Sequence, residues 1–69
     1  MIKPDEQQLR TLVLARGMNT VEPFVRDLAA SIGMHPKRTL SLCLKWSRQG
    51  WYNYGVSADL GWAEAPPTR

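Results

Sequence analysis

The sequence predicts a small, mainly α domain in which three helices are followed by one β-hairpin. Three observations predict it. Apolar residues recur at helical spacing in three windows that end at Gly17, Gly33 and Gly50. After Gly50 the chain becomes aromatic and β-favouring through Trp51-Tyr52-Asn53-Tyr54-Gly55-Val56-Ser57. With 69 residues, 43% of them hydrophobic and 22% charged, there is enough chain for one packed domain and too little for two.

The first helix is expected from Pro4 to Arg16. Leu9, Leu12, Val13 and Arg16 fall at helical spacing, and Pro4 suits a first turn. Asp5 and Glu6 follow where the helix dipole favours acids, which accounts for them without making them a catalytic pair. Gly17 is the stop. Asn19-Thr20 offers a cap for a second helix whose apolar stripe is Val21, Phe24, Val25, Leu28, Ala29 and Ile32. Pro23 fits only its first turn, and Gly33 ends it. His35-Pro36 opens a third helix running to Gln49, because proline at the first position lacks only an N–H that has no intrahelical partner. The hairpin is expected to turn near 58–61. Gly55 inside the first strand leaves a competing turn at Asn53 to Gly55. Residues 1–65 form the domain, and Pro66-Pro67-Thr68-Arg69 reads as a frayed end.

The net charge of +3 is concentrated in the middle of the chain. Charges cancel over residues 1–27, whereas residues 28–58 hold Lys37, Arg38, Lys45 and Arg48 and no acidic residue. From Asp59 onward the chain is slightly acidic. On a helical wheel Lys37, Arg38, Ser41, Lys45, Arg48 and Gln49 fall within an arc of about 120°. Leu40, Leu42, Leu44, Thr39, Cys43, Trp46 and Ser47 take the remaining arc, so every large apolar side chain of this helix is expected off the basic face. Solvated helix faces usually mix signs for i,i+4 support. Four cations with nothing to pair them point instead to an anionic partner.

The stretch Leu28-Ala29-Ala30-Ser31-Ile32-Gly33-Met34-His35-Pro36-Lys37-Arg38-Thr39-Leu40-Ser41-Leu42 resembles a helix-turn-helix. Ala29 supplies the small residue where the second helix presses closest, and Gly33 the residue that takes positive φ in the turn. Leu28, Ile32, Met34 and Leu42 match the buried positions. Followed by Gly50-Trp51-Tyr52 and a hairpin, the pattern is similar to a winged helix-turn-helix over about residues 5–65, of the stand-alone basic type common among bacterial and phage regulators. The resemblance implies a recognition helix at 36–49, with Lys37, Arg38, Ser41, Lys45 and Arg48 in the major groove. There are departures: Thr39 stands where Val or Ile is usual, and His35-Pro36 replaces a phosphate-contacting cap. The hairpin from Trp51 to Glu64 has no Lys or Arg. Asn53, Tyr54 and Ser57 remain as neutral phosphate donors there.

Sequence-specific binding of double-stranded DNA, in transcription regulation, is therefore the expected function. So small a module buries only about 600 to 1,000 Å² on DNA, so a homodimer on a palindrome is expected. With four phosphates neutralised per protomer, log affinity is expected to fall against log salt with a slope of about −3 to −4. The competing reading is a winged-helix interaction module, an adaptor or inhibitor docking through residues 51–62. It rests on Trp51, Tyr52, Tyr54 and Trp62, too many aromatics for one face of a hairpin, so that some are expected exposed. Trp46 belongs to the core arc. Cys43, on the apolar arc, reads as a buried structural thiol, and His35 as a cap or surface residue. One Cys and one His make neither a disulfide nor a cysteine-based zinc cluster. No cofactor, small-molecule substrate or enzymatic activity is expected. Met1 to Gln8 holds no apolar run, and no stretch nears the roughly 18 apolar residues of a membrane span, so a cytoplasmic, nucleoid-associated protein is expected.

Overall fold

The computed structural model describes residues 4–64, and the expected frayed end at 66–69 lies outside them. Three helices, α1 (Glu6–Ala15), α2 (Val25–Ser31) and α3 (Pro36–Gln49), precede a two-stranded antiparallel hairpin of β1 (Tyr52–Asn53) and β2 (Trp62–Ala63). The mainly helical layout with a small hairpin is the one the sequence predicts.

Helix α1 starts on a capping box. The Asp5 side chain accepts from the Gln8 N–H at 2.8 Å, and the Gln8 side chain accepts from the Asp5 N–H at 3.3 Å. It buries Leu9 and Val13, and the chain leaves it through Gly17 at φ +107°.

The second helix begins later than expected. Asn19-Thr20 does not cap it, Val21 and Pro23 lie outside it, and Phe24 is its N-cap. The residue before a proline is pushed out of the α region, which keeps Glu22 from helical geometry. The backbone groups ahead of Val25 are also bonded elsewhere. The Arg16 guanidinium donates to the carbonyls of Val21 at 2.8 Å and Pro23 at 2.6 Å, and the Asn19 N–H donates to Ala63 O of β2 at 2.8 Å. At its other end α2 closes as a Schellman motif. The Met34 N–H donates to Ala29 O, the Gly33 N–H donates to Ala30 O, and Gly33 sits at φ +77°.

Helix α3 keeps its expected bounds. His35 caps it by accepting from the Lys37 N–H on Nδ1 at 3.1 Å, Pro36 fills the first turn, and Gly50 at φ +92° ends it. Trp51 follows directly and folds back beside Trp46, with ring centroids 5.0 Å apart, while its indole N–H donates to Gln49 Oε1 at 2.9 Å.

The hairpin pairs Tyr52 with Ala63 and Asn53 with Trp62, so the connection spans Tyr54 to Gly61. The expected turn near 58–61 is present but forms only the second half of this connection, and the competing turn at Asn53 to Gly55 does not close the hairpin. Its strands are two residues long, and Ala58–Leu60 forms a 3-10 turn inside the loop. The Tyr52 hydroxyl closes that loop, donating to Ala58 O at 2.5 Å and accepting from the Gly61 N–H at 3.0 Å. Gly61 is needed for close approach: a Cβ there would strike Asn53 O and lie 2.7 Å from the Tyr52 phenol.

Trp46, Trp51 and Tyr52 form the hub of the core, with centroid spacings of 5.0 to 5.9 Å in tilted and edge-on arrangements. Leu9 and Val13 of α1, Val25 and Ala29 of α2, and Met34, Cys43, Ala58 and Ala63 close around it. In so small a domain, three large rings fill much of the interior with few side chains.

Candidate functional site

The exposed face of α3 is the part of the molecule where charge gathers. The helix contains no acidic residue, and Lys37, Arg38, Ser41, Lys45 and Arg48 are all exposed. Thr39, Cys43 and Trp46, on the opposite side, are buried and fix how the helix is rotated. The Thr39 hydroxyl donates to His35 O at 3.1 Å, so the one buried polar side chain of this face is satisfied within the helix.

One of the four cations is paired, contrary to the expectation that none would be. Lys45 Nζ lies 2.9 Å from Glu6 Oε1, and the other carboxylate oxygen accepts the Trp46 indole N–H at 2.9 Å. Glu6 thus does more than meet the dipole of its own helix: it ties the start of α1 to α3. The hydrogen bonds from Lys45 and then Trp46, with the charges of Lys45 and Arg10, hold its carboxyl below the ordinary value of 4.5 against the opposing effect of burial. Among the described residues the ion pairs are this one and a 4.0 Å contact of Arg26 with Asp59, so Lys37, Arg38 and Arg48 face solvent without a carboxylate partner.

The same face is less purely polar than expected. Leu40 is 37% exposed and Leu44 40% exposed, so both leave the core and join the basic surface. The helical wheel gives direction but not the width of what covers the helix. Here α2, β1 and the 3-10 turn of the hairpin loop pack on the side of Thr39, Cys43 and Trp46 and leave the two leucines uncovered.

The other two expected contact residues, Asn53 and Tyr54, lie on the hairpin. Asn53 is exposed, but its amide is engaged locally, donating to Glu64 Oε2 at 3.3 Å and accepting from the Tyr54 N–H at 2.8 Å. Tyr54 is half-buried against the core. Ser57 donates to Asp59 Oδ1 at 2.6 Å.

The expected surplus of exposed aromatics is not there. Trp51 and Tyr52 are buried, and Tyr54 and Trp62 are half-buried. Two facts explain this. Trp51 turns back from Gly50 onto Trp46 while its carbonyl accepts the Glu64 N–H at 2.8 Å, and Tyr52 sends its ring inward to satisfy the loop. The exposed apolar residue of the hairpin is Val56, at 96%.

Two side chains with structural weight escaped the sequence reading. Arg16, besides the Val21 and Pro23 carbonyls, donates to Gly61 O at 2.7 Å, so a single guanidinium joins α1, the loop before α2 and the hairpin. Its signal is an arginine on the apolar row of α1, after Leu9, Leu12 and Val13. Glu6, 39 residues from Lys45, carries no comparable signal. Cys43 is buried as expected, and burial pushes its thiol up to about 11, so it is a thiol and not a thiolate at neutral pH.

Among the described residues no helix is long and apolar enough to cross a membrane. No family model, curated protein or solved structure matches the chain.

Proposed function

We propose that the chain is a winged helix-turn-helix that binds duplex DNA sequence-specifically, as a transcription regulator acting beside the chromosome in the cytoplasm. The observation that carries the reading is the α3 face, where Lys37, Arg38 and Arg48 are exposed on one helix that has no acidic residue. A helix about 10 to 12 Å across fits the roughly 12 Å major groove, where such side chains reach phosphates and the acceptor edge of guanine. The Gly33 turn between α2 and α3 and the hairpin after Gly50 support the same reading, α3 being the recognition helix and the hairpin the wing. Lys45 is the fourth cation of the face and, held by Glu6, contributes less than the other three. Asn53 and Tyr54 contribute at the rim, Asn53 at the expense of its bonds within the hairpin. A second copy of the chain on a palindromic site supplies the affinity that one module lacks.

Selection from a randomised duplex pool tests it. One motif is expected to be enriched by the wild-type chain and lost by the doubly substituted Arg38→Ala, Arg48→Ala chain. A retained pool with no motif contradicts sequence-specific recognition.

A further inference from the structure

The DNA-facing helix proposed above carries two leucines that the core does not use. Leu40 and Leu44 are 37% and 40% exposed, and with Arg48 they form one i, i+4, i+8 row along α3. The neighbouring row is Lys37, Ser41 and Lys45. An apolar row beside a cationic one, with no acid on the helix, calls for an occupant that offers anions and methyl groups side by side. The major groove of A·T-containing DNA does so: phosphates line its edges, and each thymine projects a 5-methyl group from its floor.

We infer that Leu40 and Leu44 are specificity residues that contact thymine 5-methyl groups, while Lys37, Arg38 and Arg48 hold the flanking phosphates. The inference rests on the DNA reading and adds the base it selects. Residues four apart on a helix lie about 6 Å apart along its axis. That is close to two base-pair steps of about 3.4 Å, so two thymines one or two steps apart can be touched at once. A leucine side chain cannot hydrogen-bond a base edge, so its discrimination comes from apolar contact. Guanine and cytosine at those positions present polar edges to it and are disfavoured.

The test uses the full chain and the duplex enriched by it, with each thymine replaced in turn by deoxyuridine, which pairs identically but lacks the methyl. Wild-type affinity is expected to fall about fourfold at one or two positions, the effect of one buried methyl. Leu44→Ala is expected to abolish the difference at one such position and Leu40→Ala at the other, both variants keeping the wild-type salt dependence. Both side chains are exposed, so circular dichroism melts should leave these variants folded. Indifference of the wild type to deoxyuridine at every position, with salt-dependent binding intact, overturns the inference alone. So does an enriched motif without thymine, or variants that change self-association but not thymine discrimination. Failure to retain any duplex overturns the DNA reading and this inference with it.

Discussion

Glu6, in the first turn of α1, holds Lys45 of α3 at 2.9 Å while its second oxygen holds the Trp46 indole. The carboxylate therefore competes with any external anion for one of the four cations on the exposed helix. Glu6→Gln is expected to keep the indole bond and release Lys45. Binding to duplex DNA should tighten, and the slope of log affinity against log salt should steepen by about 0.9. Filter binding at several salt concentrations checks both.

The same residue gives a pH signature. Its carboxyl sits below the ordinary value of 4.5 in the folded chain, so its contribution to stability is complete above pH 4.5. It shrinks as the pH falls from there through the lower folded-state value and is gone below it. The pair is half-exposed, with side-chain exposures of 48% and 27%, so the contribution is about 0.2 to 1 kcal/mol. Urea midpoints of wild type and Glu6→Gln are expected to differ at neutral pH and to converge in acid. Curves that diverge as the pH falls contradict the arrangement.

Arg16 is the costlier residue to lose. Its guanidinium meets three carbonyls from two parts of the chain, and no single bond elsewhere replaces them. Arg16→Met leaves half-buried carbonyls unpaired and is expected to destabilise by about 2 to 4 kcal/mol in urea unfolding. Arg16→Lys recovers only part of that, because an ammonium cannot span the three acceptors as a planar fork does.

Two glycines of the hairpin are expected to behave oppositely. Gly61→Ala drives a Cβ into Asn53 O and the Tyr52 phenol, and should cost about 1 to 3 kcal/mol and disturb the near-ultraviolet signal of the aromatic hub. At Gly55 a Cβ meets nothing within 4 Å, and Gly55→Ala is expected to be neutral or to stabilise by up to about 1 kcal/mol. Equal effects would mean that the hairpin is not closed as described.

What the sequence made legible was local. The bounds of α3 follow from His35-Pro36 and Gly50, and the turn into it from Gly33, because caps and positive φ are properties of a few adjacent residues. The start of α2 was not legible, since the carbonyls of Val21 and Pro23 are taken by Arg16 and the Asn19 N–H by Ala63, a partner 44 positions along the chain. The basic stripe was readable from its spacing, but the pairing of Lys45 and the exposure of Leu40 and Leu44 depend on what packs against the helix. The burial of Trp51 depends likewise on a tertiary contact, its ring packing against Trp46 once Gly50 has turned the chain back.

In the proposed complex α3 presents its cations to a polyanion, and the salt dependence of duplex binding tests this most directly. Lys37, Arg38 and Arg48, with Lys45 partly held by Glu6, predict a slope of about −3 per protomer. Arg38→Ala and Arg48→Ala should each lower its magnitude by about 0.9 while changing stability by less than about 0.5 kcal/mol. A slope near zero, or one that neither substitution alters, would contradict it.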